Sequence, residues 1–229
     1  MKIEIWSDIV CPWCYIGKRR FESALARFEH AGDVGVEWKS FELDPNAPVN
    51  RGSTAEHLAR KYGMTLEQVA KSHERMTALA AAEGLEYHLD ETRGGNTFDA
   101  HRLIHLAQEH GLQGEMKERL LRAYFTESEA VGERDVLVRL GEEVGLADAA
   151  EVLVRLGEEL GLADVADVLE SDAYAAAVRG DEHEARLLGI SGVPFFVIDR
   201  YYAIEGAQPP EVILDALTRA VAPGTPQVA

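Results

Sequence analysis

The chain has 229 residues and two cysteines. Both cysteines fall in Cys11-Pro12-Trp13-Cys14, between an alternating apolar stretch and a helical one. No other feature limits the possible folds so tightly. Ahead of it, Ile3 and Ile5 alternate with polar residues and predict a short strand ending near Trp6. Behind it, Tyr15, Phe21, Leu25 and Phe28 recur at helical spacing, with Gly32 as the predicted stop. Pro12 suits the first helical position, where its missing N–H leaves no bond unmade. The pair is therefore expected at a strand–helix junction, Cys11 at the helix cap and Cys14 one turn on along the same side. Helix N-termini present partial positive charge and free amides, and thiols held there have pKa values lowered to roughly 3.5–7.5. A second thiol one turn away can attack a mixed disulfide formed at the first and release the partner. The spacing predicts a nucleophile, Cys11, and a resolving group, Cys14.

Two competing explanations carry less weight. Chance cysteines would be inert small hydrophobes. A structural zinc site needs four ligands, and here only His101 and His105, spaced i, i+4 about ninety residues away, are available to complete one. An ordinary exposed helix face explains that histidine pair more simply, so no metal site is expected.

Val34, Val36 and Trp38 alternate and predict a second strand, and strand–helix–strand order favours parallel pairing. From residue 53 to about 188 the pattern is helical. Ser53-x-x-Glu56 and Thr65-x-x-Gln68 read as capping boxes, and Asn96-x-x-Asp99 resembles one. Met76, Leu79 and Ala80 form one apolar face, while Met116, Leu120, Leu121, Tyr124 and Phe125 form another; Gly63, Gly84 and Gly111 punctuate. The segment 135–148 recurs almost unchanged sixteen residues later as 151–164. One continuous helix would turn the second copy by about 160°, so a break near Gly145–Asp148 is predicted, giving two short helix–turn units. After residue 189, Val193-Pro194-Phe195-Phe196-Val197-Ile198 reads as a buried strand. A turn at Asp199-Arg200 leads to Tyr201–Ile204 as a hairpin, and Pro209-Pro210 opens a last helix with Val212, Ile213, Leu217 and Val221 apolar. The predicted partition is a core over 1–52, a helical insertion over 53–188, the rest of the core over 189–222, and a flexible tail over 223–229.

The chain holds 40 acidic against 23 basic side chains, a formal net charge of −17, which disfavours nucleic-acid partners. No apolar run approaches the roughly 18–20 residues that span a bilayer, and Met1–Trp6 lacks the features of a secretory signal. A cytoplasmic protein is the expectation. There a structural disulfide does not persist, so paired cysteines point to redox chemistry or metal.

The stretches SDIVCPWCYIGKRRFE (7–22) and GISGVPFFVID (189–199), with Asn96–Leu103 between them, resemble the DsbA-like thioredoxin-fold family. The similarity is greatest to its FrnE-type branch, related to the 2-hydroxychromene-2-carboxylate isomerases. The resemblance implies an α/β thioredoxin-like fold with a large all-helical insertion between the second and third strands. It implies a Cys11–Cys14 redox pair, a cis Val193–Pro194 loop facing it, and substrate contacts at Pro12, Trp13, Val193 and Pro194. Trp13 stands where several strongly oxidising relatives have histidine, which implies a less acidic Cys11. The sixteen-residue duplication is foreign to the family pattern.

The implied activity is thiol–disulfide exchange with a dithiol or disulfide protein or a small thiol. No resident cofactor is expected, glutathione is a candidate co-substrate, and the protein would be a monomer or homodimer. The alternative is a glutathione-dependent isomerase or transferase, which needs only one nucleophile; a third reading is a non-catalytic binding module. Three further residues are candidate modulators. Asp8 would tune or relay protons for Cys14, or else serve as a loop cap. Lys18, with Arg19 and Arg20, would favour a thiolate or a glutathione carboxylate, or else form a solvated basic face. Asn96, with Thr97 and His101, would line a cleft as in related isomerases, or else cap a helix.

Overall fold

In a computed structural model of the protein, residues 1–146 and 165–221 are described. Strands are β1 (Lys2–Ser7), β2 (Gly35–Ser40), β3 (Gly52–Ser53), β4 (Arg93–Gly94), β5 (Phe195–Ile198) and β6 (Tyr202–Glu205). Helices are α1 (Pro12–Leu25), α2 (Thr54–Tyr62), α3 (Leu66–Ala82), α4 (Phe98–Glu109), α5 (Gln113–Phe125), α6 (Arg134–Val144), α7 (Val165–Glu170), α8 (Ala175–Leu187) and α9 (Pro210–Ala220).

The main sheet runs β2-β1-β5-β6. β1 pairs in parallel with β2, as the intervening helix requires, and antiparallel with β5. As the inner strand, β1 is covered on both faces. Ile3 and Ile5 pack with Phe196, Ile198 and residues of α1 and α9, while Trp6 packs with Val197 and with Ala185 of α8. The β5–β6 turn puts Asp199 and Arg200 at φ 47° and 62°, the left-handed pair that a two-residue hairpin turn demands.

The thioredoxin-like core with its helical insertion is present, and local details differ from expectation. α1 stops at Leu25, before Gly32: the N–H groups of Arg27 and Phe28 bond only three residues back, so the helix tightens and ends while Phe28 still reaches the core. Among the described residues the regular elements of the insertion are helices except for the β3–β4 ladder, whose two-residue strands are too short to leave a periodic signal. Thr65 and Gln68 form a complete capping box, whereas Ser53 accepts from the Glu56 N–H without reciprocation. Leu79 is exposed, as are Val212 and Val221, while Ala80, Ile213 and Leu217 are buried. α6 ends at Gly145 in a left-handed cap at φ 90°, which is where the duplicated segment was expected to break. The second copy and the 223–229 tail lie outside the described residues.

The insertion shares one apolar core with the sheet, running from Ile16 and Phe21 through Tyr15 to Leu103, Met116, Leu120 and Phe125. Edge strand β2 is closed by side chains from this side. Gln113 accepts from the Trp38 N–H at 2.9 Å and donates to the Trp38 carbonyl at 3.0 Å, and Asp181 accepts from the Ser40 N–H at 2.9 Å. The edge is thereby denied to other strands.

Candidate active site

Cys11 is the N-cap of α1, with extended backbone (φ −92°, ψ 113°), and Pro12 opens the helix. The Cys14 N–H bonds the Cys11 carbonyl at 3.0 Å, closing the first turn. Both cysteines are free thiols, and their side chains are hydrogen-bonded to each other. Cys11 Sγ also lies 3.5 Å from the Val193 carbonyl oxygen, beside a Val193–Pro194 peptide that is cis. Pro194 fits against α1 because position 17 is glycine: a Cβ there would come within 2.7 Å of Pro194 Cγ.

A cleft of about 420 Å³ opens over this junction, between the sheet's loops and the insertion. Cys11, Pro12, Trp13 and Val193 line it; Cys14 does not. Trp13, 40% exposed, stands at its rim. The pair is thus split by access, with Cys11 facing the cleft and Cys14 behind it.

Charge is split the other way. Behind Cys14 lies Lys117 of α5, fully buried, its ammonium donating to the Ser7 carbonyl at 3.2 Å. Burial pushes Lys117 down to about 8, against the pull of Cys14, Asp8 and Cys11. Burial would also raise Cys14, but the hydrogen bond from Cys11, the Lys117 ammonium and the Ser7 hydroxyl together bring it below the ordinary thiol range. Ser7 Oγ is buried and forms no hydrogen bond of ordinary length, yet it lies near enough to favour charge on Cys14. Cys11 is raised, first by the hydrogen bond to Cys14 and then by burial. For the resting dithiol this direction runs opposite to the sequence expectation of an ionised Cys11. The helix N-terminus acts on both sulfurs, whereas the Lys117 ammonium and the Ser7 hydroxyl favour charge on Cys14, so the shared charge sits there and Cys11 keeps the proton.

Asp8 is fully buried beside the pair. It accepts from the N–H groups of Ile9 (2.7 Å) and Leu43 (2.8 Å) and lies 3.4 Å from His101 Nε2. Burial alone would raise its pKa; the His101 contact, the Leu43 N–H and Lys117 hold it below the ordinary carboxylate range. His101 is pushed down by burial, so a neutral imidazole donates. Of the two roles foreseen for it, the loop cap is present: Asp8 pins the 41–44 loop through the Leu43 N–H, and it also lines the cleft.

The other foreseen modulators are elsewhere. Lys18 is buried and bound to Glu118 at 2.7 Å and to Glu22, Arg19 binds the same two carboxylates, and Arg20 binds Glu83 and the Ala207 carbonyl. Burial raises Glu118, but Arg19, Lys18 and Tyr15 hold it at about 2. These cations are not available to a thiolate, because Glu118 of α5 holds Lys18 and Arg19 while Glu83 and the Ala207 carbonyl hold Arg20. Asn96 does not line the cleft: its side chain accepts from the Phe98 N–H and donates to the Pro45 carbonyl, while Thr97 lines the cleft and immediately precedes α4. His101 and His105 are buried rather than on an exposed face, and His105 Nε2 lies 3.1 Å from both Ser40 Oγ and Asp181. The cause is that α4 is covered on several sides by α5, α6, α7 and α8. Among the described residues no group of three or more His, Cys, Asp or Glu is disposed to hold a metal ion.

Sequence reasoning missed Lys117 and Tyr87. Tyr87 donates to the Pro12 carbonyl at 2.8 Å and stacks on Phe125, clamping the insertion to the motif. Lys117 had a legible signal. Positions 113, 117, 120 and 124 trace one buried stripe of α5, and a lysine in such a stripe needs a partner.

The sequence matches the DSBA-like thioredoxin domain family over residues 2–218. A probable DsbA oxidoreductase, SCO1869 from Streptomyces coelicolor, is 44% identical with a TM-score of 0.85, covering 100% of this chain and 93% of that one. The uncharacterized protein YwbO of Bacillus subtilis (strain 168) is 32% identical over 160 residues, 65% of this chain and 68% of that protein. The cytosolic disulfide reductase DsbM from Pseudomonas aeruginosa shares the fold at 20% identity, with a TM-score of 0.63 over 96% of this chain and 98% of its own. DsbM is also known in a form with GSH.

Proposed function

This chain belongs to the DsbA-like thioredoxin domain family, and on that premise we propose that it is a cytoplasmic thiol–disulfide oxidoreductase working through Cys11 and Cys14. The observation that carries the reading is the division of labour within the pair: the sulfur that meets the cleft is backed by a second whose charge is stabilised from behind. As a substrate disulfide enters, Cys14 takes the Cys11 proton along their hydrogen bond. Cys11 attacks one substrate sulfur, the substrate S–S bond breaks, and one substrate thiolate leaves. Cys14, kept acidic by Lys117 and Ser7, passes that proton to the departed substrate thiolate and, as a thiolate, attacks Cys11 Sγ, forming Cys11–Cys14 and releasing the second substrate thiolate. Two electrons pass from the pair to the substrate, and the reverse sequence oxidises a dithiol. Pro12, Trp13, Val193 and Pro194 would hold the substrate, with the Val193 backbone aligning an extended segment beside Cys11. Asp8 and Lys117 set the charge behind the pair.

The disulfide itself is the redox group, so no resident cofactor is required, and a small thiol such as glutathione would recharge it. The fold shared with DsbM supports that choice. Among the described residues no helix is long and apolar enough to cross a membrane. A cleft of small-molecule size also suits a glutathione-dependent isomerase. The two are separated by Cys14→Ser: an oxidoreductase loses turnover and accumulates a mixed disulfide at Cys11, detected by intact mass, whereas an isomerase keeps full turnover. Titration of the wild-type pair against glutathione buffers should show a two-electron transition. A pair that never forms Cys11–Cys14 in that range overturns the proposal.

A further inference from the structure

The charges around the cleft do not cancel evenly. Asp8, at the floor, is answered by His101 and Lys117. Asp44 is ion-paired with Arg51, which also lies 3.0 Å from His57 Nε2. Lys61 remains: among the described residues no carboxylate stands in ion-pair range of it, and its ammonium rests 5.6 Å over the Tyr62 ring. His57 and Lys61 are i, i+4 on α2 and both line the cleft. Burial lowers the His57 pKa, and Arg51 and Lys61 lower it further, as expected where local potential is positive. In a chain of net charge −17, Lys61 is thus a cation on the cleft wall that no carboxylate of the described residues answers by an ion pair. α2 buries none of its residues fully, and Leu58 shares the cleft-facing side with His57 and Lys61; Met76, Leu89 and Phe125 supply further apolar wall.

From this we infer that the α2 wall is an anion subsite, and that the pair acts on small disulfides and thiols that carry a carboxylate beside an apolar body. The inference rests on the oxidoreductase reading and narrows its substrate class. The apolar body would lie along Leu58, Met76 and Phe125, its sulfur at Cys11, and its carboxylate within reach of Lys61. The enclosed volume favours such a molecule over a folded protein segment. The overall negative charge would repel anions from the rest of the surface and leave Lys61 to draw them in.

Two aromatic disulfides of similar size serve as probes: dithiobis(nitrobenzoate), which carries two carboxylates, and dithiodipyridine, which is uncharged at neutral pH. Each reacts with the reduced pair by the same exchange, releasing two aryl thiols as Cys11–Cys14 forms. The readout is the ratio of their second-order rate constants. Lys61→Met, which keeps the aliphatic stem, should lower the anionic-to-neutral ratio about fivefold, the size of one solvent-screened charge contact. Lys61→Arg should preserve it. As sodium chloride rises from about 0.01 to 0.5 M, where screening shortens to a few ångströms, the gap between the wild-type and Lys61→Met ratios should close. A ratio unchanged in Lys61→Met, or a gap that salt does not narrow, overturns the subsite. If instead the wild-type protein reacts with the neutral reagent no faster than free cysteine does, it is the oxidoreductase reading that fails.

Discussion

Replacing Gly17 by alanine tests whether the active site depends on how closely α1 approaches Pro194. The added Cβ would stand 2.7 Å from Pro194 Cγ and 3.5 Å from Ala207 Cβ. Non-bonded carbons rest at about 3.5–4.0 Å, so the second contact is ordinary and the first forces Pro194 or the helix back by roughly 1 Å. Alanine in a helix interior gains about 0.8–1 kcal/mol over glycine, and overpacking a tight contact costs about 1–3 kcal/mol. The net loss is about 0–2 kcal/mol, which for a chain of this size lowers Tm by less than about 8 °C.

The effect on chemistry should be larger. Val193 precedes the displaced proline, and its carbonyl is 3.5 Å from Cys11 Sγ. A misplacement of about 1 Å in reacting groups costs up to about 10²-fold. The expected result is a 10- to 100-fold fall in the exchange rate with an uncharged disulfide, alongside a near-normal melting curve. Alkylation of Cys11 by iodoacetamide, which needs no aligned partner, should change far less. Exchange within twofold of wild type would refute the idea that this contact positions the site. A parallel fall in exchange and alkylation would place the effect on the thiol itself and refute it equally.

Lys117→Met removes the cation behind Cys14, so thiolate absorbance at 240 nm should titrate at higher pH than in wild type; an unmoved midpoint would show that Lys117 does not set the charge. A Lys117 pKa lowered from 10.5 to about 8 means that, for this group, the unfolded chain holds more protons across that interval. Wild-type stability should then rise between pH 8 and 10.5, by on the order of 3 kcal/mol, as the penalty of burying the ammonium disappears; the methionine variant should lack that rise in pH-dependent denaturation. Gln113→Leu strips both partners from the Trp38 backbone on the sheet edge and should cost about 2–4 kcal/mol, read as a lower midpoint in urea; a loss under 1 kcal/mol would show that water replaces the amide. Arg102→Met removes the buried donor to the Val168 and Ala173 carbonyls and the Asp99 ion pair; a loss of about 3 kcal/mol or more is expected in the same assay.

The elements nearest the motif were readable because their signals are local. Ile3 and Ile5 alternate, Pro12 marks the first turn, and Thr65 with Gln68 announces its own cap; each becomes the element it suggests. What failed depended on partners distant in the chain. Lys18–Arg20 look like a solvated basic run until α5 brings Glu118 against two of them, with about a hundred residues between. His101 and His105 look like an exposed pair until α4 is enclosed. Asn96 resembles both a cap and a cleft residue, and the difference lies in whether its amide meets Pro45, a contact across 51 positions.

The same distinction divides the site itself. The motif and the helix it begins supply two sulfurs, their spacing and a helix end that favours charge on either. They do not decide which sulfur carries it. That choice is made by α5 of the insertion, whose buried stripe places Lys117 behind Cys14, and by the end of β1, which places Ser7 beside it. The insertion also closes the cleft over Cys11 and holds the Pro12 carbonyl through Tyr87. A chain keeping Cys11-Pro12-Trp13-Cys14 with an apolar residue at 117 would retain the fold's geometry and lose the asymmetry of the pair. Cys14 would then titrate higher, since burial raises it and only the Cys11 and Ser7 contacts and the nearby backbone would remain to offset that. The acidity of the resolving sulfur is thus a property of the inserted helices, and it should follow residue 117 even when the four-residue motif is left untouched.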